Sequence, residues 1–342
     1  MKTTKNPRRL AVGMLIAMMA VGCNMSPTES NSRPLGNTTS PAYPIKIVAT
    51  VGMVADLVRE IGGDHVEVSQ ICGPGVDPHL YKATRDDVAA LSTAEMVFYS
   101  GLMLEGKMSD TLVKMARSRP VVAVTESIDE TLLLEPEDLA GHYDPHVWMD
   151  VSAWSHCVVA VAAALAEHDE AHKSDYLANA QVLQQRFTEL HEYGRKSIAT
   201  IPEGSRVLVT SHDAFNYLGR AYGLEVQGVQ GISTESEAGL QRVGELVDML
   251  VEKNVQAVFI ESSVPRKSID SLIEGAKAKG HQVSVGGELF SDAMGTAGTY
   301  EGTYIGMLDH NITKIARGLG GQAPERGFNG KLSGDEKGAS SE

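Results

Sequence analysis

Ile45-Lys46-Ile47-Val48-Ala49-Thr50 is a short run rich in β-branched residues and reads as a strand. Apolar residues then recur at helical spacing from Met53 to Ile61, and Gly62-Gly63 stops that helix. Val66-Glu67-Val68 opens the next strand. The alternation continues outward. Thr84 stands three residues before Asp87, a capping-box start to the helix through Val88-Ala89-Ala90-Leu91. Val97-Phe98-Tyr99 and Val121-Val122-Ala123-Val124 are further strands. Strands alternating with helices imply a parallel sheet covered on both faces.

The plan restarts later in the chain. Val207-Leu208-Val209-Thr210 is a strand, Ala214 to Tyr222 a helix closed by Gly223, and Glu225-Val226-Gln227 a second strand. Both halves thus share a strand, Thr, helix, Gly, strand order. Val255 to Ile260 and Val283 to Val285 read as later strands, and 301–320 as a final helix. Between the halves, 152–166 is an apolar, alanine-rich core helix. From 172 to 200, Ala180, Leu183, Phe187, Leu190 and Tyr193 recur at spacings of three and four. That is one amphipathic helix of about 28 residues, longer than most globular helices. The fold class expected is α/β: two doubly wound lobes, 45–171 and 201–325, joined by a spanning helix over 172–200. A cleft between two such lobes suits a small ligand. The tail, 326–342, is polar and reads as loose.

The N-terminus has a different character. Lys2, Lys5, Arg8 and Arg9 precede an uncharged run of 13 residues, Leu10 to Gly22. A membrane-spanning helix needs about 20 residues, so the run fits the core of a signal peptide over 1–22. It ends in Ala20-Val21-Gly22-Cys23, small residues directly before a cysteine. That arrangement resembles a bacterial lipobox, with Ala20 where leucine is usual, and marks Cys23 for lipidation. Residues 23–44, rich in Ser, Asn, Pro and Thr, then read as a tether.

Acidic residues number 44 against 30 basic, a net charge of −14. Loss of the four bases in 1–22 leaves 26, and the charge becomes −18. Such a surface repels phosphate polymers and excludes sequence-independent nucleic-acid binding. Three cysteines are too few for a disulfide scaffold. Cys72 and Cys157 remain after processing and read as separate buried thiols, although an oxidising compartment would permit a pair.

Four residues stand out among the potential donors. Asp77-Pro78-His79 recurs as Asp144-Pro145-His146. Proline restricts the backbone, so each histidine is expected on an ordered loop after a strand region, with the aspartate accepting its second ring N–H. His212, in Thr210-Ser211-His212-Asp213, lies at the C-terminal end of a strand, where open α/β sheets bind ligands. Adjacent residues cannot converge, so Ser211-His212-Asp213 is no catalytic triad. Asp292 follows the strand of Val283 to Val285; taken alone it fits a turn or helix cap. His168-Asp169-Glu170-Ala171-His172 resembles a zinc-protease motif, but its glutamate is one place too late, and it reads as a solvated helix face. Glu261 follows another strand and fits either the cleft or the surface.

The stretches Gly75-Val76-Asp77-Pro78-His79, His142-Tyr143-Asp144-Pro145-His146-Val147-Trp148, Val209-Thr210-Ser211-His212-Asp213-Ala214-Phe215 and Glu288-Leu289-Phe290-Ser291-Asp292-Ala293-Met294-Gly295 occur in order over 45–320. With them the chain resembles the zinc/manganese-specific substrate-binding lipoproteins of bacterial ABC transporters, especially the kind first described in treponemes. The resemblance implies two α/β lobes, a rigid spanning helix, and a buried metal between the lobes held by His79, His146, His212 and Asp292. It implies a monomer outside the cytoplasmic membrane, in a periplasm or on an outer face, anchored by its lipid and serving an ABC permease and its ATPase. No nucleic-acid partner and no enzymatic activity are expected, and the chain has no P-loop.

Three imidazoles and a carboxylate suit Zn²⁺; a bidentate aspartate would also suit Mn²⁺ or Fe²⁺. Leu132 to Tyr143 holds only His142, so the histidine-rich loop of some zinc-specific relatives is absent. Manganese-specific relatives often have glutamate where His212 stands, so the choice of metal stays open. Two other functions compete: an envelope zinc-dependent hydrolase, which needs an open metal position, and a surface adhesin whose metal only stabilises the fold.

Overall fold

The structure is a computed structural model that describes residues 43–136 and 140–333. The signal peptide, Cys23 and most of the tether therefore lie outside the described residues, as do 334–342.

In the first half, β1 (Ile45–Ala49), β2 (Val66–Gln70), β3 (Met96–Tyr99) and β4 (Val121–Ala123) form one parallel sheet in the order β2-β1-β3-β4. Parallel neighbours need crossovers. These come from α1 (Gly52–Gly62), α2 (Arg85–Thr93) and α3 (Ser109–Met115). The expected capping box is present: Thr84 Oγ accepts the Asp87 N–H at 3.2 Å, and Asp87 accepts the Thr84 N–H at 2.8 Å. Both faces of β1 are covered, so Ile45, Ile47, Val48 and Ala49 are all buried.

The second half differs from a single doubly wound sheet. Here β5 (Val207–His212) pairs with β6 (Glu225–Gln230), and β7 (Ala257–Glu261) pairs with β8 (Ser284–Leu289), giving two parallel two-stranded ladders. β5 and β7 run alongside each other without a ladder. What links them is a side chain, as Glu261 reaches His212 at their C-terminal ends. The helices of this half are α6 (Asn216–Tyr222), α7 (Leu240–Glu252), α8 (Lys267–Ala278) and α9 (Tyr304–Gly318).

Two helices join the halves: α4 (Val151–His168) and α5 (Lys173–Ile198). At 26 residues, α5 is about 39 Å long. Its stripe of Tyr176, Ala180, Leu183, Phe187 and Leu190 is buried. Each large side chain in it contributes roughly 1.5–3 kcal/mol on burial. Asn179 donates to the Ile61 carbonyl at the end of α1 (3.0 Å), and Tyr193 bonds Thr313 of α9 (2.7 Å). One helix thus grips both halves. Gly194 allows the close approach, since a Cβ there would stand 2.8 Å from the Tyr222 ring and 3.0 Å from Ile312.

Three expectations need correction. His168 and His172 do not share a helix face: α4 ends at His168, Asp169 caps it, and residues 170–172 form a 3₁₀ turn before α5. Asp169 is buried rather than solvated, since Tyr43, His172 and Tyr176 all bond it at 2.6–2.8 Å. The tail is ordered as far as described. Phe328 N–H donates to Asp309 at 2.8 Å, Ser333 N–H donates to Glu301 at 2.9 Å, and Leu332 is buried. Finally, no strand directly precedes Asp144-Pro145-His146; β4 ends at Ala123, and irregular chain intervenes. Cys72 and Cys157 are both free, buried thiols.

Candidate metal centre

Each of the four residues singled out in the sequence sits on a loop or strand end that faces the junction of the two halves. His79 follows β2 on a loop turned by Asp77-Pro78. His146 precedes the 3₁₀ turn Val147–Met149 that leads into α4. His212 is the last residue of β5, and Asp292 lies just beyond β8. Far apart in sequence, they meet in space: one donor atom from each lies within 4.8 Å of the others, and all four residues are buried.

The separations fit a shared ion. His79 Nε2 is 3.2 Å from His146 Nε2 and 3.8 Å from Asp292 Oδ2. His146 Nε2 lies 3.3 Å from Asp292 Oδ1, and His212 Nε2 3.2 Å from Asp292 Oδ2. A tetrahedral ion with bonds of 2.0–2.1 Å places its ligands about 3.3–3.4 Å apart. His212 Nε2 and both Asp292 oxygens are buried with no well-directed hydrogen-bond partner. Leaving three such atoms unsatisfied costs several kcal/mol, and a cation at their centre removes that cost.

The electrostatics follow from the same crowding. Burial would raise the Asp292 carboxyl, but the imidazoles around it, His212 foremost, hold it well below the usual carboxylate range. Burial lowers His79 to about 4. It also opposes the charged form of His146, yet the charge and hydrogen bond of Asp144, with help from Asp292, outweigh it and lift His146 to about 9. At His212 burial is likewise overcome, by the charges of Glu261 and Asp292, and the group is held well above 6.5.

Two of the three imidazoles are clamped by carboxylates. Asp144 Oδ1 accepts from His146 Nδ1 at 2.7 Å and from its backbone N–H at 2.9 Å. Glu261 does the same for His212, with Oε2 2.5 Å from Nδ1 and Oε1 2.9 Å from the backbone nitrogen. A proton kept at Nδ1 leaves the Nε2 lone pair aimed inward. The repeated tripeptide is therefore asymmetric. Asp77 Oδ1 accepts only the His79 backbone N–H, at 2.8 Å, and its other oxygen takes the Thr234 hydroxyl at 2.5 Å.

Sequence reasoning left Glu261 between cleft and surface; it is in the cleft wall, 5% exposed. A usable signal was present, because Glu261 and His212 each end a parallel strand. Gly228 was missed. A Cβ on it would stand 2.5 Å from the Asp213 nitrogen, so β6 presses against the residue after His212 only because position 228 has no side chain. Trp148 was quoted without a role. Its indole donates to the Ser291 carbonyl at 3.0 Å, and its ring meets that of His146 edge-on at 5.2 Å. It thereby holds the His146 loop against the Asp292 loop.

The class that this scaffold and donor set define is the metal-binding substrate-binding protein of an ABC transporter. The family described as zinc-uptake complex component A, periplasmic (ZnuA), matches residues 47–318, and the chain belongs to that family. Such components work with a membrane permease and its ATPase. The chain is 48% identical over 275 residues to the manganese-binding lipoprotein MntA of Bacillus subtilis, a match covering 80% of this chain and 90% of MntA. It is 46% identical over 273 residues to the zinc-binding protein TroA of Treponema pallidum, covering 80% and 88%. The solved structure of that periplasmic zinc-binding protein superposes with a TM-score of 0.78 at 45% identity, over 80% of this chain and 99% of the other. Fe(III)-bound YtgA of Chlamydia trachomatis gives 0.74 at 26% identity, over 81% and 99%. Among the described residues, no helix is long and apolar enough to cross a membrane.

Proposed function

We propose that this chain captures one divalent transition metal ion, zinc or manganese, outside the cytoplasmic membrane and delivers it to a membrane permease for import. The observation that carries this reading is the convergence of His79, His146, His212 and Asp292, four buried donors within 4.8 Å of one another. In this reading those four are the ligands and the ion is the cargo. Four protein donors leave no open position for an activated water, which favours capture over hydrolysis. Nitrogen-rich ligation favours Zn²⁺ on affinity, and a bidentate Asp292 would admit Mn²⁺ or Fe²⁺. MntA is named for manganese and TroA for zinc, at nearly equal identity, so sequence similarity does not separate the two.

The same reading assigns 1–22 to a signal peptide, Cys23 to lipidation, and 23–44 to a tether. It divides the body into lobes 45–171 and 201–325 about the helix over 172–200, and has the protein act as a lipid-anchored monomer. A single long helix gripping both lobes resists wide opening, so release follows when docking on the permease distorts the four-ligand set. The test is a chelator-competition titration of metal-stripped protein, residues 24–342, with Zn²⁺ and with Mn²⁺. One tight ion per chain, lost in His146→Ala and Asp292→Ala, is expected. Tight binding of neither ion would overturn the reading.

A further inference from the structure

The four donors are sealed from solvent, so an ion needs a route to them. His146 and His212 are fully buried and Asp292 is 1% exposed, whereas His79 retains 5%. His79 borders a cavity of about 270 Å³ whose wall includes Met103, His142, Pro145, Ile232 and Glu235. His79 is also the imidazole with no carboxylate clamp, and among the described residues nothing in the protein accepts from its Nδ1. It is the ligand most able to turn.

The wall of this cavity draws on both halves, and two bonds beside it cross from one half to the other. Thr234, 7% exposed, donates its hydroxyl to Asp77 Oδ2 at 2.5 Å. Beside it, Lys107 Nζ and Glu235 Oε1 form an ion pair at 2.9 Å, with both side chains partly exposed. The first-half rim is held under strain. Gly101, Leu102 and Met103 take successive positive φ values of 97°, 51° and 66°, and two of them carry side chains. Buried Glu105 over-determines this turn. Its Oε1 accepts from the Thr50 hydroxyl at 2.6 Å and the Ser100 N–H at 2.7 Å, and its Oε2 from the Gly101 N–H at 3.2 Å. The turn exposes 64% of Met103 at the cavity and delivers Lys107 to its partner.

We propose that the segment carrying Thr234 and Glu235 is a latch across the route past His79, and that its two bonds set how fast the ion enters and leaves rather than how tightly it is held. This rests on the buried cluster being the ion's seat. Neither Thr234 nor Glu235 belongs to the four donors, so loosening them lowers the barrier for both directions and leaves the bound state intact.

The test is stopped-flow exchange with the full chain and Zn²⁺: uptake by stripped protein, release to a chelator, and separately the equilibrium Kd. Thr234→Val removes a hydrogen bond to a carboxylate, and both rates should rise roughly tenfold. Lys107→Ala removes an exposed ion pair, with a rise of roughly two- to fivefold that disappears in high salt. In both variants the Kd should stay within about threefold of wild type, and the charge swap of Lys107→Glu with Glu235→Lys should restore the rates. Unchanged rates in both single variants would overturn the latch. So would faster release with unchanged uptake, because that is weakened ligation. Failure of the wild-type chain to bind Zn²⁺ at equilibrium would instead overturn the metal-binding reading, and the latch with it.

Discussion

Replacing Asp144 by asparagine removes one negative charge while keeping the size of the side chain and an acceptor oxygen. In the native protein that oxygen takes two hydrogen bonds from His146, one from the ring and one from the backbone. A buried hydrogen bond to a charged group contributes about 1.5–3 kcal/mol, against about 1 for a neutral one. The difference of roughly 0.5–2 kcal/mol corresponds to about a 2- to 30-fold loss of metal affinity, overlapping the roughly 10- to 100-fold typical when the partner of a ligating imidazole is removed. Asp77→Asn is the internal control. The residue comes from the same tripeptide, but its carboxylate touches the His79 backbone and Thr234, not the ring, so its loss should cost less than about threefold. The pH matters for the comparison. Asp144 also raises His146 to about 9, so at neutral pH it favours the proton that competes with the ion. The Asp144→Asn penalty should be largest near pH 9 and shrink toward pH 7. The assay is chelator-buffered Zn²⁺ titration at both pH values, with thermal unfolding of the stripped proteins to confirm folding. Equal losses in the two variants, or a penalty that grows as pH falls, would refute the reasoning.

Glu261→Gln should lower affinity by roughly 10- to 100-fold through His212, while Glu235→Gln, at the mouth of the cavity, should leave the equilibrium Kd nearly unchanged. At neutral pH an ion bound at the proposed site should displace protons from His146 and His212 but none from His79, whose value of about 4 leaves it neutral. Calorimetry in buffers of different ionisation enthalpy should therefore show about one to two protons released per ion, and affinity falling as pH falls; proton uptake would contradict the site's electrostatics. Zn²⁺ at a hundred times its Kd should stabilise the fold by about 2.7 kcal/mol, read as a rise in Tm. Asp56 is buried, its carboxyl is raised to about 6, and it accepts the Tyr304 N–H at 2.9 Å. Its folded value lies above its unfolded 3.8, so its contribution is fully present below 3.8 and lost as pH rises through 6, a swing of about 3 kcal/mol. Asp56→Asn should flatten urea stability between pH 4 and 6; an unaltered slope would refute the assignment.

Much of the architecture was legible because the features that announce it are local. Strand β1, helix α1 and the glycine stop after it are written in residues 45–63, and a 3.6-residue stripe announced α5 almost to its ends. The His168 motif misled for the opposite reason. Spacing of i and i+4 implies one face only if the helix is continuous, but α4 ends just before Asp169, whose backbone N–H bonds the Leu165 carbonyl while its carboxylate takes the hydroxyl of Tyr43 from well over a hundred residues away. The tail misled similarly: 326–333 looks polar, yet its order comes from Asp309 and Glu301, which its sequence does not contain.

By itself the sequence determined the alternation of elements, the order of the four motifs and the residue types of the candidate ligands. It did so because backbone propensity, apolar periodicity and proline restriction act over a few residues. Only the tertiary structure decided which carboxylate, if any, would back each candidate ligand. Asp144 Oδ1 clamps both the ring and the backbone of its histidine whereas Asp77 Oδ1 of the identical tripeptide meets only the backbone, and the second oxygens go to Asn216 and to Thr234 respectively. Only the tertiary structure, too, placed Glu261 behind His212 and set His79 beside a cavity. Those choices depend on contacts between residues 49 to 157 positions apart, which no local propensity specifies and which exist only once β5 lies beside β7 and the two halves meet.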